Sequence, residues 1–250
     1  IQKNTVMMKK IVTALFFLHL LSTSSFGQDG ELRFGFQLSP SFSWMRTNDV
    51  RINHSGTNVG MKLGMLTDYY FRENYAFSTG IGFAFNHGGT LLFDYGGNYW
   101  TRSNLGPALD SLPNGVKLRY NLQFVEIPLM VKMRTNGSGN TRYFLEPGLT
   151  LGFRTQARGS VTGVGVGEEA QKLDIRREVN GLNLAWGITG GAETAISSNI
   201  SLITGVGFQI GFTDVTDDKG GVIFDPNRGN QKETSKGAIS ALTLKIGLMF

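Results

Sequence analysis

The chain has 250 residues, no cysteine and a formal net charge of +5. Without cysteine there is no disulfide framework, no thiolate nucleophile and no cysteine-based zinc site. Glycine, at 34 residues, is about twice its usual share, and charged residues make up only 17%, which is sparse for a soluble domain of this length.

Residues 1–27 read as a targeting segment. Met7-Met8-Lys9-Lys10 is a basic start, and Ile11 to Leu21 is an apolar run. Its length suits a signal-peptide core and is too short to span a bilayer. Ser22 to Gly27 is the cleavage region, with the cut expected between Gly27 and Gln28, and residues 1–6 read as upstream sequence. Removing residues 1–27 takes away Lys3, Lys9 and Lys10 and no acid, so the mature charge falls to +2. The basic balance therefore gives no case for a nucleic-acid partner. No later stretch approaches 18 apolar residues, so residues 28–250 are either a soluble all-β domain or a membrane barrel.

Eight strands follow, each recognisable by alternation, since successive side chains of a strand point to opposite faces. The first, near Leu32 to Trp44, places Leu32, Phe34, Phe36, Leu38 and Phe42 on one face. Met45 to Asn58 reads as a loop. The second strand, Val59 to Phe71, turns at Arg72-Glu73-Asn74 into the third, Tyr75 to Phe85. His87 to Lys117 is a long excursion containing Tyr95, Tyr99 and Trp100. These aromatics either fold the loop onto the rim or form a partner-binding patch.

The fourth strand, Leu118 to Met133, has a fault in its phase. Tyr120, Leu122 and Phe124 are apolar at even positions, and Val125, Ile127, Leu129, Val131 and Met133 at odd ones. One extra residue near Phe124 would repair this, so a β-bulge is expected there. Pro128 cannot donate to a ladder and is expected at an irregularity too. The fifth strand, Arg142 to Thr155, follows the turn at residues 135–140. A polar loop from Gln156 to Asn180 leads to the sixth, Gly181 to Thr194, and a tight turn at Ile196 to Asn199 to the seventh, Ile200 to Phe212. Residues 213–236 are the last long loop.

The eighth strand ends the chain. Leu242, Leu244, Ile246, Leu248 and Phe250 form an unbroken apolar row. A final strand of this kind ending in Phe resembles the carboxyl-terminal signal through which outer-membrane barrels engage the barrel-assembly machinery.

The connections alternate long and short, so short turns collect at one end and long loops at the other. Outer-membrane barrels have short periplasmic turns and long outer loops. The face opposite the apolar one is mostly Gly, Ser, Ala and Thr, which suits a narrow lumen better than a solvated surface. The fold expected is all-β: an eight-stranded antiparallel up-and-down transmembrane barrel in outer-membrane lipid, with candidate aromatic girdles at Tyr69, Phe71, Tyr75, Tyr143 and Phe250 and at Phe42, Trp44, Phe85, Phe153 and Phe212.

Charges fall on the inward face. Lys62, Glu126, Lys132, Arg142, Glu146 and Glu193 are the candidate lumen network, with Arg33, Asp68, Arg154 and Lys245 also placed inward. Eight strands leave a lumen just wide enough for side chains, and a charge there must be paired. The bland reading is a structural plug; the sharper one is a polar path or a proton-active dyad. His19 lies in the signal segment, and His54 and His87 in or beside loops. No spacing suits a metal, and Gly163 to Gly167 lacks the Lys-Ser/Thr and the helix of a phosphate loop. No cofactor, metal or catalytic residue is expected, and the chain is not read as an enzyme.

The strand Phe124-Val125-Glu126-Ile127-Pro128-Leu129-Met130-Val131-Lys132, with Leu145-Glu146-Pro147-Gly148 and Gly190-Gly191-Ala192-Glu193, resembles the PorT-type outer-membrane barrels of Bacteroidota. That resemblance implies an integral outer-membrane barrel and a link to type IX protein secretion, and supplies no catalytic residues. The reading is a structural or accessory barrel that acts through loop or rim contacts with an unidentified protein partner. A narrow porin for small solutes is the alternative, and a membrane-embedded enzyme comes third.

Overall fold

The computed structural model describes residues 30–103, 109–137, 139–167 and 170–250. The expected targeting segment and cleavage site lie outside these residues. The eight long strands are β1 (Glu31–Arg46), β2 (Ile52–Arg72), β3 (Tyr75–Phe93), β4 (Val116–Arg134), β5 (Thr141–Thr162), β6 (Leu182–Ala195), β7 (Ser201–Gly211) and β8 (Ala238–Met249). Each pairs with its neighbour in sequence, and β1 pairs antiparallel with β8 through Phe36 and Leu248, and Phe42 and Leu242. The ring is thereby closed, and a closed antiparallel ring has no edge strand.

Apolar side chains cover the outside. Phe34, Phe36, Met65, Phe77, Ile81, Leu129, Leu149, Trp186 and Val206 all stand exposed on the outer wall, as do Leu242, Leu244, Ile246, Leu248 and Phe250. In water such a surface would be a liability; against lipid it is the favourable face. Phe71 stacks on Tyr75 near the short-turn end, and Trp44 approaches Phe208 to 6.1 Å nearer the other.

Two expectations are corrected. The strands are longer than the alternation suggested, because β2 begins at Ile52, β3 runs to Phe93 and β5 to Thr162. The first connection is therefore only residues 47–51, not Met45 to Asn58, and His87 lies within β3. Nor does β4 carry a bulge. Its even residues point inward throughout, from Val116 through Phe124 and Glu126 to Lys132 and Arg134. The extra residues sit on its neighbours. Between Ala84 and His87, β3 advances three residues while β4 advances two, and β5 adds one between Arg154 and Gln156. Asn86 takes φ 53° and Gly88 φ 134°, the backbone of such an irregularity. Pro128 keeps the register on both sides, as Thr79 pairs with Leu129 and Gly82 with Glu126.

The phase fault has a different cause: polarity reverses along the barrel axis. On the short-turn side of Phe124, the buried charges point inward beside a small apolar cluster, and the outward residues are apolar. On the long-loop side, Leu91, Phe93, Val116, Leu118, Tyr120, Leu122 and Val161 point inward into a dry core, while Lys117 and Arg119 face out. The strands have left the lipid and become the wall of an ordinary water-facing β-structure.

Candidate functional site

The lumen of the membrane-embedded half is filled by paired charges. Lys132, fully buried on β4, lies 2.7 Å from Asp68, 3.5 Å from Glu146 and 3.6 Å from Glu193. Lys245 of β8 reaches Glu146, and Arg33 of β1 reaches Glu193. Arg33 also donates to Ser201 Oγ at 3.1 Å. One step toward the long loops, Lys62 is 2.8 Å from Glu126 and donates to Gln209 Oε1 at 2.6 Å, and Gln209 Nε2 donates to Thr150 at 2.8 Å. Asp68, Glu126, Glu146 and Glu193 are thus matched by Arg33, Lys62, Lys132 and Lys245, carried on strands from all round the ring.

The alternation that puts Leu and Phe in lipid places these charges inside, because the polar and apolar faces of one strand are one residue out of phase. Burying one such ion costs several kcal/mol, roughly offset by partners in good geometry. Phe144 adds its ring face 5.0 Å from Lys132 Nζ and 5.4 Å from Lys245 Nζ. Phe144 belongs to a small apolar cluster with Leu66, Ile203 and Met249. Between the Lys62 and Lys132 groups lies a cavity of about 80 Å³, lined by Asp68, Glu126, Glu146, Gln209 and Thr243 among others. It has room for a few waters at most.

Above this layer the barrel is stoppered. Trp100 and Tyr99 of loop 94–115 insert into the core; Trp100 donates from Nε1 to Tyr120 Oη at 3.1 Å, and Tyr99 packs 4.1 Å from Phe93. Gly159 makes the seat for Trp100, since a Cβ there would come within 2.5 Å of the indole. A three-stranded sheet of Gly97–Asn98, Val222–Asp225 and Gly229–Lys232 binds loop 94–115 to loop 212–237. Arg51 of the first connection donates to Gln231 Oε1, and Val179 bridges to Thr216. All four connections at this end are therefore knitted into one cap. The loop aromatics resolve toward the inward alternative.

The cap carries buried acids. Asp214 accepts from Thr216 and from the Gly237 N–H. Burial, with Glu233 as its nearest acidic neighbour, pushes Asp218 up to about 9. Glu178 is buried and accepts from the Arg102 N–H at 2.7 Å.

Of the residues the sequence marked for the lumen, Lys62, Glu126, Lys132, Glu146 and Glu193 lie together in it. Arg142 does not join them. It is half-buried at the start of β5, and among the described residues no carboxylate lies within ion-pairing distance of it. At that position near the turns, water can solvate it. Arg154 is also outside the charge network: it lies just before the extra residue of β5, where Nη1 donates to the Arg176 carbonyl at 2.7 Å. Gln209, Thr150 and Ser201 were missed. Their inward parity was legible, but a neutral polar side chain carries no obligation to pair that would have singled it out.

A closed ring of eight antiparallel strands, apolar outside and charged within, is a transmembrane barrel of the outer-membrane kind. The sequence model described as outer membrane protein beta-barrel domain matches residues 24–217, and the chain belongs to that family. It is an outer-membrane protein. Solved structures with a similar fold include Neisserial surface protein A, at 11% identity with 89% of this chain and 98% of that one covered and a TM-score of 0.41. OprG from Pseudomonas aeruginosa gives 10%, 88%, 96% and 0.41. The outer membrane protease OmpT from Escherichia coli gives 10%, 91%, 98% and 0.39. No curated protein matches the chain.

Proposed function

We propose that this barrel is a structural or accessory component of the outer membrane that passes nothing through its lumen and acts through its loops and rims. The observation that carries the reading is the double closure: four acids matched by four bases across the lumen, beneath an apolar core stoppered by Trp100 and Tyr99. A solute path would have to break several buried ion pairs and unseat the cap. The same pairing argues for a non-enzyme, since the inward carboxylates and amines are engaged with one another. The Glu126-Ile127-Pro128 strand and its resemblance to PorT-type barrels of Bacteroidota support the finer reading, a part in type IX secretion with a protein partner.

Conductance across a planar bilayer tests it. Purified barrel should give no steady channel, and a nanosiemens pore would overturn the reading. We also read the outward row Leu242, Leu244, Ile246, Leu248 and Phe250 as the signal for the assembly machinery. Deleting Phe250 should lower the yield of heat-modifiable, membrane-inserted barrel; normal insertion would remove that role.

A further inference from the structure

The outer wall has a notch where β5 runs on past the start of β6. Beyond Phe153, which pairs with Leu182, β5 is flanked not by β6 but by the connection before it, through Gly181, Ile175 and the short strand Leu173–Asp174. Arg102, Ser103, Arg154, Asp174, Arg176 and Arg177 line this notch, an open pocket of about 610 Å³. Four guanidiniums share it. Arg176 is held by Asp174 at 2.7 Å, and Arg102 by Asp217 at 2.9 Å. Arg154 and Arg177 have only carbonyl oxygens, of Arg176 and Arg102 respectively, and among the described residues neither has a carboxylate within ion-pairing distance. Arg154 Nε and Ser103 Oγ are buried donors without an acceptor. Like charges crowded together with unspent donors are held at a cost, which an anion with several acceptor oxygens would offset.

Depth selects the anion. Phe153 and Leu182, both exposed to lipid, are the last apolar rung below the notch. Arg154 follows Phe153 directly, and a strand rises about 3.3 Å per residue. The notch therefore opens at the level where acyl chains end and headgroups begin. Guanidinium forks match phosphate oxygens in pairs, where an ammonium offers only a point charge.

We propose that this notch binds the phosphate of a phosphorylated glycolipid in the outer leaflet, with Arg154 and Arg177 as its principal ligands and Ser103 as a further donor. Bound lipid would lie with its chains against Phe153 and Leu182.

The test uses the full mature chain in nanodiscs containing diphosphorylated lipid A or its dephosphorylated form, with retained lipid counted by native mass spectrometry. The phosphorylated lipid should be retained about tenfold better, and Arg154→Gln with Arg177→Gln should abolish the preference. Arg228→Gln, at an exposed arginine of another loop, should leave it intact. Arg154→Lys with Arg177→Lys keeps the charge and should retain only part of the preference, which guards against a glutamine variant that fails to fold. Equal retention of the two lipids, or an unchanged double glutamine variant that folds, would overturn the proposal. So would inorganic phosphate binding in detergent as tightly as the lipid, which would assign the arginines to free phosphate.

Discussion

The two halves of this barrel are built from the same strands and obey opposite rules. Below Phe124 the side chains that face inward are Lys62, Glu126, Lys132 and Glu146, and those that face outward are Phe83, Leu129 and Leu149. Above it, Leu118, Leu122 and Val161 fill the inside and Lys117 and Arg119 meet water. The difference shows that inside and outside have no fixed chemistry in a barrel. Each face takes the polarity of the medium it meets, and the hydrophobic effect stabilises the outer half by burial while the inner half depends on paired charge.

That contrast can be broken from either side. The largest effect is expected from Lys132→Met, which leaves Asp68, Glu146 and Glu193 short of their shared cation. It should cost about 4 kcal/mol in urea unfolding, and a stability equal to wild type would show that the lumen is not held by charge. Trp100→Ala should cost about 3 kcal/mol by emptying the outer core. Its signature in hydrogen exchange should be confined to the cap and the upper strands, with the lipid-embedded half still protected. If protection fell throughout, the two halves would not be separate in energy.

Glu126→Gln should cost about 2 kcal/mol, since the amide oxygen can still accept from Lys62 but the charge is gone. The last prediction tests the cap alone. Asp218 holds its proton in the folded cap far above its ordinary range. Its contribution is therefore fully present below pH ~4 and is lost as pH rises toward ~9. Proteolysis of loop 212–237 should quicken over that window, and Asp218→Asn should flatten the dependence. A cap equally resistant at pH 6 and pH 9 in the wild type would refute the assignment.

Much of this was legible in the alternation. The row Leu242 to Phe250 shows its lipid face because nothing interrupts it. The inward charges were found because a carboxylate such as Glu126 on the small-residue face demands a partner. What could not be read was the medium. The change of apolar phase at Phe124 looks the same whether the strand slips by one residue or the solvent outside it changes, so a bulge was expected on β4 where there is none. Residues 52–58 passed for loop because a strand with water outside need not carry an apolar outer row. Arg154 was misplaced for another reason: its parity counted from Tyr143 holds, because the extra residue of β5 comes after it, but alternation does not reveal that β5 has there left the charged layer and met residues 176–181.

The ladder between β1 and β8 joins opposite ends of the described chain, with Gly35 opposite Met249. Every other ladder of the ring can form between neighbours in sequence, but this one must wait until the last strand has been made. Contacts of such long separation are slow to form. Until the seam shuts, the N–H and C=O groups of two strands stand unpaired beside a wall of exposed Phe and Leu. For this protein the interval before closure is the dangerous part of its life, and an unsealed sheet is its natural route to aggregation.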